Sequence, residues 1–129
     1  MSDPTIPPPQ LLGVIPWLAC TDVREMIAFF RDTLGFAEEW TWGEPPTDGG
    51  ICRGEARLYF VQDPELAARV SRSEISIAVD DVDALYAEHL ARGAPIVRPI
   101  EDEPWGLREY HVRAPSGYVL RFGGDREAA

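Results

Sequence analysis

The segment Glu103–Phe122, EPWGLREYHVRAPSGYVLRF, constrains the fold more than any other part of the chain. Pro104-Trp105-Gly106 reads as an exposed turn, and Arg108–Arg113 then alternates as a strand does. Ala114-Pro115-Ser116-Gly117 supplies a tight turn, after which Tyr118–Phe122 alternates again. Two period-two runs around a Pro/Gly turn specify a β-hairpin, because successive strand side chains point to opposite faces and only turn residues tolerate the reversal.

The rest of the chain repeats one pattern twice. Met1–Gln10 carries four prolines, a density no helix or central strand tolerates, and reads as an extended arm. Leu11–Leu18 is a strand candidate. Asp22 then caps a helix, with Glu25 in capping-box position. Val23, Met26, Ile27, Phe30 and Leu34 make one apolar face, and Gly35 ends the helix. Strand-like pieces follow at Phe36–Trp42, Gly50–Arg53 and Ala56–Gln62. In the second half Glu74–Val79 alternates, and Asp81 caps a helix whose Val82, Leu85, Tyr86, His89 and Leu90 share a face. Gly93 ends it, and strand-like pieces follow at Pro95–Arg98, Leu107–Arg113 and Tyr118–Gly123. The caps Asp22 and Asp81 stand 59 positions apart, so one βαβββ unit is used twice. The expectation is an α+β domain over 11–124, with modules at about 11–62 and 73–124 forming a curved mixed sheet around a cleft. Residues 63–72 link the modules, with a helical turn at Pro64–Val70, and 125–129 form a tail. Gly49-Gly50 and Gly123-Gly124 read as turn and tail glycines.

The closing hairpin resembles the W-G-x-R-(D/E)-(aromatic)-x-V-x-D-P-x-G-(N/Y) segment of the glyoxalase/bleomycin-resistance/dioxygenase superfamily, the vicinal oxygen chelate fold. Ala114 and Ser116 stand where that pattern differs. Leu12–Phe36 resembles the first strand and helix of bleomycin-resistance proteins, through Pro16, the Thr21-Asp22-Val23 helix entry and the Phe30…Leu34-Gly35-Phe36 exit. The resemblance implies a small acidic homodimer in which an N-terminal strand swaps at Pro16. It also implies that an antibiotic-like ligand lies unaltered in a crevice between subunits. An edge-strand proline without exchange is the plainer reading of Pro16.

With 129 residues and 45% hydrophobic content, one domain can bury a core without disulfides. Cys20 and Cys52 are expected as free thiols. No membrane-length apolar run or signal-like N-terminus is evident, so a cytoplasmic protein is expected. The net charge of −10 repels nucleic-acid phosphates, attracts cationic small molecules and also serves solubility. All the basic residues are arginines, so no lysine is available for Schiff-base chemistry.

Metal-dependent members of the superfamily hold a divalent ion with His, Glu or Gln from strands of both modules. The resemblance carries those positions onto Ile15, Tyr59, Glu74 and Arg121. Ile has no donor atom and Arg has no lone pair at neutral pH, so no metal site is expected and Glu74 should pair with Arg121. His89 lies on an apolar helix face and His111 within a strand, and both read as structural. No Ser-His-Asp order, CxxC pair, HExxH helix or phosphate-cradling Gly loop is present, so no catalytic residue or cofactor is assigned.

The remaining asset is aromatic surface. Trp40 and Trp42 are two apart and face one side of a strand. With Tyr59, Glu74, Trp105 and Arg121 they are the expected ligand-binding residues, whereas Trp17 reads as core or interface. The expected function is metal-independent binding that sequesters a cationic or aromatic antibiotic-like ligand. The alternatives are a metal-dependent lyase, isomerase or dioxygenase of the same fold, needing Glu74, His111 and a further donor, and an interaction module whose aromatic faces are consumed by dimerisation.

Overall fold

The structure is a computed structural model that describes residues 5–126. The chain runs β1 (Trp17–Cys20), α1 (Val23–Ala28), β2 (Ala37–Trp42), β3 (Asp48–Arg53), β4 (Ala56–Gln62), α2 (Pro64–Val70), β5 (Glu74–Ala78), α3 (Val82–Ala91), β6 (Ile96–Asp102), β7 (Leu107–Arg113) and β8 (Val119–Asp125). It is the predicted α+β fold of two βαβββ modules. Each module makes its own four-stranded mixed sheet, ordered β1-β4-β3-β2 and β5-β8-β7-β6. The first strand of each module pairs in parallel with the last, and all other pairs are antiparallel.

The helices form where the caps predicted. The Asp22 carboxylate, on an extended residue, accepts from the backbone N–H groups of Arg24 and Glu25, two donors that a helix start leaves without partners. Asp81 accepts likewise from Ala84 N–H at 3.0 Å. α1 continues into a wide π turn, Phe29–Thr33, where Leu34 N–H reaches back to Phe29 O. Gly35 at φ +78° then releases the chain into β2. The predicted apolar face, Val23 to Leu34, is wholly buried against β3 and β4.

Three expectations are corrected. Leu11–Leu18 is not a strand throughout: β1 starts at Trp17, and residues 7–16 have no regular structure. Leu11 and Leu12 are each 97% exposed, because this segment pairs with no strand among the described residues. Gly49-Gly50 and Gly123-Gly124 lie inside β3 and β8, where they admit close neighbours rather than turns. Leu90 leaves the apolar face of α3 and is half exposed, because the helix packs over Val82 and His89 instead. The part of the expected arm at residues 1–4, and of the tail at 127–129, lies outside the described residues.

One core joins the modules. Phe30, Phe60, Tyr110, Leu120 and Phe122 are all at most 1% exposed, and each such side chain contributes roughly 1.5–3 kcal/mol. Polar contacts cross the seam as well. Arg53 grips Glu88 through two hydrogen bonds, at 2.6 and 2.9 Å. Tyr118 OH donates to Ala19 O at 2.7 Å. His89, fully buried, places Nε2 3.2 Å from Leu34 O and Nδ1 2.8 Å from Tyr110 OH. A carbonyl can only accept, so Nε2 carries the proton, and Nδ1 accepts from Tyr110. His89 is therefore neutral, and burial holds its pKa below the usual imidazole value. Cys20 and Cys52 are free thiols, and burial raises the Cys20 thiol to about 11.

Candidate ligand-binding site

Strand alternation gives each sheet one face covered by helices and one open face. In the first sheet Leu18, Ile51, Leu58 and Phe60 point to the covered side and are buried. The register aligns Trp17 with Tyr59, Tyr59 with Gly50 and Gly50 with Trp40, so one row across the open side reads Trp, Tyr, Gly, Trp. The three rings form a cluster: Tyr59 meets Trp17 edge-on at 5.3 Å between centroids and Trp40 edge-on at 5.0 Å. Trp17 and Trp40 are 5.9 Å apart. Gly50 makes this possible. A Cβ there would run into Trp40 Nε1 and Tyr59 Cδ1, so the missing side chain is the space the two rings occupy. Trp17 remains 55% exposed and Trp42, one row further along, 70% exposed. These aromatic faces are open to a ligand.

The same row of the second sheet has a different chemistry. Its register reads Ser76, Arg121, His111, Arg98. Ser76 is the repeat counterpart of Trp17, and Arg121 of Tyr59. Arg121 donates to Glu109 at 2.7 Å and to Glu74 at 3.3 Å, and its guanidinium lies 5.8 Å from the Trp105 ring. Glu109 is only 3% exposed, so this charge-assisted bond is what keeps a buried carboxylate neutralised. Its hydrogen bond to Glu109 holds the guanidinium in its charged form. His111 Nε2 stands 3.9 Å from Glu109 and has no hydrogen-bond partner. Burial, and then Arg121, pull His111 below the usual imidazole value, so it is neutral near pH 7. Arg98 spans Glu101 and the buried Glu103. Trp105, Leu107, Glu109, Arg121 and Ser76 border a depression of about 830 Å³.

The six expected residues fall into two groups. Trp40, Trp42 and Tyr59 share the open aromatic face, and Glu74, Trp105 and Arg121 share the open charged face, where Glu74 and Arg121 pair as expected. Among the described residues, no hydrogen bond, ion pair or ring contact joins one group to the other. Trp17 belongs to the aromatic group rather than to the core. Its alternation with the buried Leu18 and Cys20 was the signal for that. Glu109 and Gly50 escaped sequence reasoning. Only the pairing of β7 with β8 and of β3 with β4 reveals what stands beside them.

The donor set does not fit a divalent ion. Arg121 places its guanidinium between Glu74 and Glu109, the oxygens a cation would need, and Tyr59 is packed between two indoles. Ile15 precedes β1 and brings no donor. Among the described residues no group of three or more His, Cys, Asp or Glu side chains could hold a metal.

The model of the Glyoxalase/Bleomycin resistance protein/Dioxygenase superfamily matches residues 11–122. Among solved structures, the bleomycin-binding protein of bleomycin-producing Streptomyces verticillus, in complex with copper(II)-bleomycin, is 30% identical. That match covers 92% of this chain and 98% of that one, with a TM-score of 0.75. A bleomycin resistance determinant encoded on transposon Tn5 shares the fold at 22% identity, over 89% of this chain and 98% of its own, with a TM-score of 0.76. A bleomycin-binding protein complexed with bleomycin aligns at 22% identity over 88% and 98%, with a TM-score of 0.73. No curated protein sequence gives a significant match. With its paired βαβββ modules and a family match spanning nearly all of both, the chain belongs to the Glyoxalase/Bleomycin resistance protein/Dioxygenase superfamily.

Proposed function

We propose that this protein is a metal-independent binding protein of the bleomycin-resistance type, which sequesters a cationic, heteroaromatic antibiotic-like molecule without altering it. The observation that carries this reading is the row Trp17–Tyr59–Gly50–Trp40, an aromatic platform left open to solvent by a glycine that makes room for it. Flat rings stack on such a surface, and the net charge of −10 draws in a cation. Sequestration needs affinity and no reactive group. Arg121, seated between Glu74 and Glu109, argues against the alternative of a metal-dependent lyase or dioxygenase. The neighbour at 30% identity holds copper(II)-bleomycin, which supports a ligand of that class.

The binding unit of this reading is a homodimer with exchanged N-terminal arms. The exposed apolar residues Leu11, Leu12 and Val14 support it, as does the lack, among the described residues, of any hydrogen bond, ion pair or ring contact between the aromatic and charged groups. A ligand crevice built by two copies would supply both chemistries at once.

The test is a tryptophan-fluorescence titration of metal-stripped protein with metal-free bleomycin, repeated at high salt. Saturable quenching at about one ligand per chain, weakened by salt, is the expected result, because screening removes the steering charge. Absence of quenching, together with a rise in thermal stability on adding a divalent metal, would overturn the reading in favour of an enzyme.

A further inference from the structure

A second cavity, of about 590 Å³, lies between the β3–β4 turn and the start of α3, and it meets the depression on the charged face along Ile77, Ala78, Val79 and Asp80. It exists because the two halves of the repeat are unequal. Where the second module meets the first, the turn between Arg113 and Val119 is long enough to land on the entry to α1. There Ser116 Oγ accepts from Thr21 N–H at 3.0 Å, and Tyr118 OH reaches Ala19 O. At the repeat-related place, Arg53 pairs directly with Ala56, so the turn is only Gly54-Glu55. It stops short of Asp80 and Asp81, the counterparts of Thr21 and Asp22, and open space surrounds Gly54. The shorter turn leaves unfilled what the longer one fills.

The chemistry of this space is specific. Leu34, Phe36, Ile77, Val79, Leu85 and Phe122 make an apolar floor. At the rim, the charges of Arg53 and Glu88 are spent on each other. Glu55, Asp80 and Asp81 also line the cavity, and none of the three has an arginine within ion-pair distance among the described residues. Asp80 and Asp81 each use one oxygen on a backbone N–H, at 2.7 and 3.0 Å. A carboxylate offers two oxygens, so acceptor capacity remains at the mouth. An anion is repelled here, and a neutral polar molecule gains little over water. We propose that the cleft is a second ligand site, which takes a small protonated amine carried on an apolar or aromatic body. Its volume suits a small organic molecule, and Leu34, Glu55, Ala84 and Leu85 line it without bordering the depression on the charged face.

The experiment uses the full chain and amide chemical-shift mapping, with protonated phenethylamine as probe and 3-phenylpropan-1-ol as its neutral counterpart. Saturable shifts are expected at Leu34, Ala84 and Leu85, which line this cleft and not the depression on the charged face, with the amine binding about tenfold more tightly, as a charge-assisted hydrogen bond predicts. E55Q/D80N/D81N, whose amides keep the acceptor oxygens that Asp81 N–H and Ala84 N–H use, should erase that preference. A84F, at an exposed position that lines the cleft, should abolish binding of both probes while leaving thermal stability and oligomeric state unchanged. Equal affinity for amine and alcohol would overturn the proposal. So would shifts confined to Trp17, Trp40 and Tyr59, or no shifts. If A84F instead dissociates an oligomer, the cleft is an interface and the proposal fails. If A84F does not fold, the loss or persistence of the amine preference in E55Q/D80N/D81N decides. Bleomycin quenching reads the open faces alone, so the two sites stand or fall separately.

Discussion

Gly50 shows how one absent side chain can set a site. Its backbone lies outside the left-handed region, so alanine would fit the strand and, by restricting the unfolded chain, should even stabilise. The contacts reverse that sign: a Cβ must displace the Trp40 indole and the Tyr59 ring, both held in a packed cluster. G50A is expected to destabilise by about 1–3 kcal/mol by chemical denaturation and to shift the tryptophan emission. An unchanged midpoint and spectrum would mean that the platform is not held by this gap. Arg121 gives the second residue-scale prediction. R121M leaves the buried Glu109 carboxylate without its strongest partner and should cost about 2–3 kcal/mol. R121M/E109Q should recover more than half of that, since an amide buries more cheaply than an orphaned anion. Additive single and double variants would show that the pair does not act as a unit. Sequence reasoning reached Arg121 and Glu74 through the repeat but not Glu109 or Gly50. Neighbours across strands depend on register, and register follows only from the assembled sheet.

At the scale of elements the sequence was most legible where caps and periodicity agree. Pro64–Val70, Ala56–Gln62 and Leu107–Arg113 carry the predicted bounds, because Asp63 caps one and turn residues fence the others. It was least legible at residues 11–16, whose strand-like composition pairs with no strand among the described residues. α3 shows what an element boundary can hide. His89 reads as one more member of an apolar face, yet it bonds Leu34 O of the first module and Tyr110 of the second. This arrangement tolerates only the neutral ring. Burial lowers the folded pKa of both His89 and His111, so near pH 7 both states are neutral and stability is full. As pH falls through the unfolded value of about 6.5, the unfolded chain takes up protons that the folded chain refuses. Stability should therefore decline between about pH 7 and 5.5, approaching 1.4 kcal/mol per pH unit for each histidine. H89Q, which can still donate to Leu34 O, should roughly halve that slope. A slope unchanged in H89Q would assign the loss to other groups.

For the whole molecule, the open question of architecture is why an aromatic face and a charged face should be built on equivalent rows of one chain and left untouching. A monomer gains nothing from exposing three of its four tryptophans, Trp17, Trp42 and Trp105, along with Leu11, Leu12 and Val14. If a second copy covers the arm and closes the crevice, these exposures share one cause. The arm is anchored where Pro16 O accepts from Tyr59 N–H at 3.0 Å, next to the aromatic platform, so its placement and the platform's geometry are coupled. Deleting residues 1–15 leaves that bond, β1 and the core intact, so circular dichroism and cooperative unfolding should persist. Sedimentation should then show a monomer, and bleomycin affinity should fall by at least tenfold, because in the proposed dimer each ligand crevice needs both copies. A truncated chain that remains dimeric with undiminished affinity would place the dimer contact elsewhere. A truncated monomer that still binds at full strength would mean that one open face suffices.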